Sequence, residues 1–139
     1  MTRLSIPGIF TLLLLLTGCN NASTNQWDYK GYDSTGTQII SGWIELTPQI
    51  NDTLGGSWKF ESVGSPSRIG PQTGTGTYSG FQDGYEITLD LNPELVDNNV
   101  TLTGIVAGSL WSGTWEYSGF SGVINHGTFS ATGDGTATP

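Results

Sequence analysis

Residues 99–117 read NVTLTGIVAGSLWSGTWEY, and this stretch decides the fold. Before Gly108-Ser109, the residues Val100, Leu102, Gly104 and Val106 alternate with Asn99, Thr101, Thr103 and Ile105. After it, Trp111, Gly113, Trp115 and Tyr117 alternate with Ser112, Thr114 and Glu116. A period of two is the signature of a strand with one buried and one wet face. A two-residue break containing glycine is the right size for a tight hairpin. The stretch therefore predicts two antiparallel strands that bury the same side.

The same grammar extends in both directions. Leu54, Gly56, Trp58 and Phe60 oppose Thr53, Gly55, Ser57, Lys59 and Glu61, and Tyr85, Ile87, Leu89 and Leu91 oppose Glu86, Thr88 and Asp90. No window of about 11 residues shows helical periodicity. The alternation predicts about eight strands near Trp27–Tyr32, Thr37–Thr47, Thr53–Glu61, Gln72–Ser79, Tyr85–Leu91, Asn99–Ala107, Leu110–Tyr117 and Val123–Ala131. The connections between them, such as Gly80 to Gly84 and Ser118 to Gly122, are rich in Gly, Pro, Asn and Asp. Short connections force antiparallel neighbours. The fold expected is all-β, an antiparallel up-and-down meander barrel, with a flattened β-sandwich as the alternative.

A short unit recurs in these strands: Gly56-Ser57-Trp58, Gly76-Thr77-Tyr78, Gly113-Thr114-Trp115 and Gly127-Thr128-Phe129. Glycine and ring lie two residues apart, hence on the same inward face. Glycine lets a strand coil and leaves room for a neighbour's ring, both of which a small tapering barrel needs. The spacing of the units is too irregular for a solenoid or propeller. The pattern over 27–131 resembles the small calycin-type barrels, lipocalin-like and avidin-like. The resemblance implies the architecture only, with no ligand carried over. The Gly-x-Trp that opens lipocalin barrels has no counterpart near the first strand, since Gly42-Trp43 lacks the intervening residue. No binding residue is therefore carried over.

The N-terminus, MTRLSIPGIFTLLLLLTGC, has the parts of an export signal: Arg3, an apolar run from Leu4 to Leu16, and small residues at Thr17 and Gly18. The run is shorter than the ~20 residues a spanning helix needs. Leu16-Thr17-Gly18-Cys19 resembles the bacterial lipobox. That resemblance implies cleavage before Cys19, a diacylglyceryl thioether on its sulfur and acylation of the new amino group. The expected organisation is a removed signal over 1–18, lipidated Cys19 with a polar tether over 19–26, a barrel over 27–131, and a frayed tail over 132–139. Two or three acyl chains hold a protein stably on a bilayer. The expected location is the bacterial cell envelope. In a Gram-negative host it would be the outer membrane, because Asn20 stands where an Asp would specify inner-membrane retention.

Beyond the cleavage site, Lys30, Lys59 and Arg68 face twelve carboxylates, a net charge of −9. Such a surface repels phosphates, so nucleic acid is not an expected partner and the membrane attachment rests on lipid. The chain has 1 Cys and 1 His, which excludes an intramolecular disulfide and multi-Cys or multi-His metal sites. His126 has the parity of the outer face, as do Glu45, Glu61, Glu86, Asp90 and Glu116. The turn residues Asn51-Asp52, Asp83-Gly84 and Asp97-Asn98-Asn99 read as local turn formers and not as calcium ligands. No catalytic residue, metal or cofactor is expected. Trp58, Phe60, Tyr78, Tyr85, Trp115, Tyr117 and Phe129 are expected inside, filling the barrel. Three tryptophans remain as candidate binding residues: Trp27 beside the tether, Trp43 on the outer face, and Trp111 at a barrel mouth. The sequence thus predicts a lipid-anchored, non-catalytic binding or structural module for an envelope glycan or protein. A carrier of a small apolar ligand is the first alternative, and an envelope hydrolase or an inhibitor of one is the second.

Overall fold

The computed structural model describes residues 25–133. The expected signal, Cys19, most of the tether and the last six tail residues lie outside them. Nine strands follow in chain order: β1 (Gln26–Asp33), β2 (Gln38–Glu45), β3 (Thr47–Pro48), β4 (Thr53–Ser62), β5 (Gly74–Asp83), β6 (Glu86–Asp90), β7 (Asn98–Ala107), β8 (Leu110–Gly119) and β9 (Gly122–Gly133). All pairings are antiparallel, β1 closes on β9, and β2 pairs with β4. The result is a closed eight-stranded up-and-down barrel with β3 as a short extra strand on β4. Closure leaves no long open edge to be protected.

The glycine–ring units explain how so narrow a barrel closes around so many rings. They meet reciprocally: Gly56 stands opposite Tyr78 and Gly76 opposite Trp58, while Gly113 stands opposite Phe129 and Gly127 opposite Trp115. Gly56, Gly76 and Gly127 each lie against the ring of the partner strand's unit, while the Phe129 ring reaches Gly104 of β7. A Cβ on Gly76 would sit 2.8 Å from the Trp58 indole, and one on Gly127 2.6 Å from Trp115 Nε1. The rings then stack on one another. Tyr29 lies 4.2 Å from Phe60 and 5.6 Å from Phe129, and Trp111 meets Phe129 edge-on at 4.5 Å. Ile87, Leu89, Leu91, Val100, Leu102 and Val106 complete the buried set on the faces that alternation assigned.

Four details differ from the sequence expectation. First, β5 continues through Asp83, so the turn to β6 is only Gly84-Tyr85, with Gly84 at a φ of 58°. Tyr85 therefore occupies a turn tip, 62% exposed, and not the interior. Second, the register between β1 and β2 shifts after Gly31, and both Ile39 and Ile40 are buried across this bulge. Third, β9 runs two residues into the segment read as tail, where Thr132 and Gly133 pair with Asp28 and Trp27. Fourth, Gln72 does not begin a strand. It is fully buried in the β4–β5 connection, its Nε2 donating to the Ile69 carbonyl at 2.7 Å. Ile69 packs on the core and Gly70 rests against the Tyr117 ring, so this loop covers one end of the barrel.

Burial carries a pH consequence. It pushes the Tyr78 phenol up to about 12, with the nearby Glu45 charge adding, and drives Tyr29 still higher. In the unfolded chain both ionise near pH 10. Above that the unfolded state holds fewer protons than the folded one. Their contribution is therefore complete below about pH 10 and is lost as pH rises, by about 1.4 kcal/mol per pH unit for each tyrosine. Denaturant melts from pH 9 to 12 should show this fall, with a shallower slope in Tyr78→Phe. An unchanged slope in that variant would contradict the assignment.

Candidate functional site

Trp27 and Trp111 are not available as surface platforms. They are 2% and 0% exposed and belong to the core. Their positions in the chain pointed to a rim, but the closing strand buries them. Trp27 stands opposite Gly133, whose added Cβ would touch the indole, and Trp111 stands opposite Ala131. Small residues on β9 give both rings space inside.

Trp43 is the tryptophan left on the outer wall, half-buried. It lies on β2 between Asp28 of β1 and Lys59 of β4 in cross-strand register. One step along, Ser41 stands between Lys30 and Glu61. Glu45, on the same face of β2, accepts a hydrogen bond from Ser57 Oγ at 2.5 Å. Lys59 Nζ and Glu61 Oε1 are 3.8 Å apart and both largely in water, so the pair adds little stability. Ser41, Gly42, Trp43, Lys59 and Glu61 line a shallow depression of about 180 Å³. Gly42 sets its floor, because any Cβ there would collide with the Lys59 carbonyl oxygen, so β2 presses against β4. Of the described cations, Lys59 stands beside this ring, Lys30 stands beside Ser41, and Arg68 lies in the β4–β5 loop. The arrangement offers an aromatic face with acceptors, an ammonium and a hydroxyl around it. That set suits stacking on a sugar ring with hydrogen bonds at its edge.

Other polar groups lie elsewhere on the outer wall and in the turns. His126 is exposed, opposite Glu116 on the outer wall, and shares a surface depression with Asp33, Thr114 and Thr128. Asp33 is tied to its own turn: Thr35 Oγ1 donates to Oδ1 at 2.7 Å, and the Thr35 and Thr37 amides donate at 2.9 Å each. The Thr35 hydroxyl, then these amides, hold its carboxyl below the usual carboxylate range. Asp52, Asp83, Gln49 and Gln82 line another surface depression, where the Gln82 backbone amide donates to the Asp52 carbonyl. Among the described residues, no group of three or more His, Cys, Asp or Glu is placed to hold a metal ion.

The interior has polar atoms that the sequence reading did not single out. Trp58 Nε1 donates to the Leu91 carbonyl at 3.2 Å, Trp115 Nε1 to Tyr32 at 2.8 Å, and Tyr78 Oη to Gly55 at 2.9 Å. Tyr29 Oη, Trp111 Nε1 and Gln72 Oε1 are buried with no protein partner. Nothing in the local pattern marks them, since parity identifies a buried ring but not where its polar atom ends. No protein-family model matches the chain, and no curated protein is similar to it at a significant level.

Proposed function

We propose that this protein is a lipid-anchored β-barrel of the bacterial cell envelope that acts without catalysis, as a binding module whose contact surface is the outer wall around Trp43. The observation that supports this best is the ring-filled interior: the packed rings of Tyr29, Phe60, Phe129 and Trp111 leave the outer wall as the face open to a large partner. The partner chemistry that fits an indole between Asp28 and Lys59 is an envelope glycan. Titrating envelope polysaccharides against tryptophan fluorescence tests this. A saturable change lost in Trp43→Ala is the expected result, and an equal response in that variant would overturn it. The anchor rests on the lipobox ending at Cys19. Cys19→Ser is expected to abolish incorporation of a labelled fatty acid and to release the protein from membranes or leave it uncleaved. Label retained by the variant would sink the anchoring.

The carrier reading has one observation in its favour. Tyr29 Oη, Trp111 Nε1 and Gln72 Oε1 lack protein partners inside the barrel, and a buried polar atom is normally satisfied by something. Water or a small guest would serve. Tight binding of a fatty acid or apolar dye, unaffected by Trp43→Ala, would favour this reading over the glycan.

A further inference from the structure

The exposed apolar side chains of this barrel gather at its two ends, and one end is also where the chain arrives from Cys19. Asn25 begins the described chain there, its carbonyl accepting from the Leu46 amide at 2.8 Å. Six residues, Asn20 to Asn25, separate Cys19 from β1. At no more than ~3.6 Å per residue they reach about 20 Å. A chain lipidated at Cys19 therefore holds this end within about 20 Å of the bilayer, whatever the tether's conformation.

The turn tips of the same end carry large apolar groups in water. Ile50, in the β3–β4 turn, is 81% exposed, Tyr85 between β5 and β6 is 62% exposed, and Leu110 after the β7–β8 turn is 41% exposed. They form one continuous arc of the rim. The Gln82 amide donates to the Asp52 carbonyl, joining the first turn to the second, and the Val106 amide donates to the Tyr85 carbonyl, joining the second to the third. Phe81 and Ile105 extend the exposed apolar surface down the adjoining outer wall. An aromatic hydroxyl beside aliphatic tips is the composition that favours the bilayer interface.

We infer that this rim arc docks onto the bilayer that holds the lipid anchor, so that Ile50, Tyr85 and Leu110 sit in its interfacial layer and the barrel stands with its other end outward. The inference rests on the anchoring reading above. The charged groups at this rim decide the lipid. Asp52, Asp83 and Glu86 lie among the tips, and Lys30, Lys59 and Arg68 all sit farther along the barrel. An acidic rim is repelled by anionic headgroups, so zwitterionic lipid is the partner that fits.

The test uses the lipidated full-length product in phosphatidylcholine vesicles. Because lipid occupies Cys19, which is the single cysteine, a thiol introduced by Tyr85→Cys or Phe120→Cys takes a spin label alone. Position 120, 96% exposed in the β8–β9 turn at the opposite end, is the control. The label at 85 should collide several-fold less with a water-soluble nickel complex, and more with oxygen, than the label at 120. Equal accessibility at both positions, in a chain whose mass carries the thioether lipid, overturns the docking alone. A mass without the lipid overturns the anchoring reading and the docking with it. Protection at 85 that persists in vesicle-free Cys19→Ser protein identifies a second copy as the occupant and also overturns the docking.

Discussion

Trp115→Ala is expected to destabilise the domain by about 3–5 kcal/mol, the range for removing a large buried ring. Trp115 is fully buried, and its ring covers Gly127 of β9 while Leu102 of β7 stands opposite on the other side. Removing the indole leaves a void between these strands that a glycine cannot fill. It also removes the 2.8 Å hydrogen bond to the Tyr32 carbonyl, which ties β8 to the end of β1. The void and the orphaned acceptor add in the same direction. Trp43→Ala, on the outer wall, should cost less than about 1 kcal/mol. Denaturant melts of the two variants measure both. A larger loss at Trp43 than at Trp115 would reverse the assignment of faces.

What the sequence disclosed was what repeats locally. Alternation placed Leu54, Trp58, Phe60, Ile87, Leu89, Val100, Leu102 and Trp115 inside, because a strand's period of two is a property of the chain alone. Tyr85 failed the same test for a physical reason. A strand that lengthens by a few residues into a two-residue turn converts an inward position into a tip, and turn length is set by pairing with β6. Alternation also put Trp111 on the inward face, and only its placement at an open mouth failed; Trp27 and Trp111 are enclosed because β9 closes the barrel with Gly133 and Ala131, about 100 residues from Trp27. Of the candidate site, Trp43 was legible as an outward ring. Its setting between Asp28 and Lys59 was not, because cross-strand register between β1, β2 and β4 is not written in any one of them. The loop that buries Gln72 was also hidden: Pro66, Gly70 and Pro71 mark a connection, but not that it turns inward.

Gly113→Ala is expected to be at least as damaging as the loss of Trp115, although it adds one methyl group. Gly113 stands opposite Gly104 of β7 and Phe129 of β9. A Cβ there would collide with the Thr103 carbonyl oxygen and the Gly104 Cα. Both are backbone, so no rotamer change relieves the contact, and the β7–β8 pair must separate. Overpacking costs typically ~1–3 kcal/mol when side chains can yield, so a cost above about 3 kcal/mol is expected here. Gly108→Ala makes the contrasting case. Gly108 has nothing within 4 Å of an added Cβ, but its φ of 62° disfavours any residue with one. Its cost is conformational alone, about 1–2 kcal/mol. The two variants therefore separate steric from conformational demand for glycine within one hairpin, β7–β8. Thermal or denaturant melts should rank Gly113→Ala well below Gly108→Ala in stability. Equal losses would mean that β7 and β8 are not in the close contact that lets a narrow barrel accept its rings.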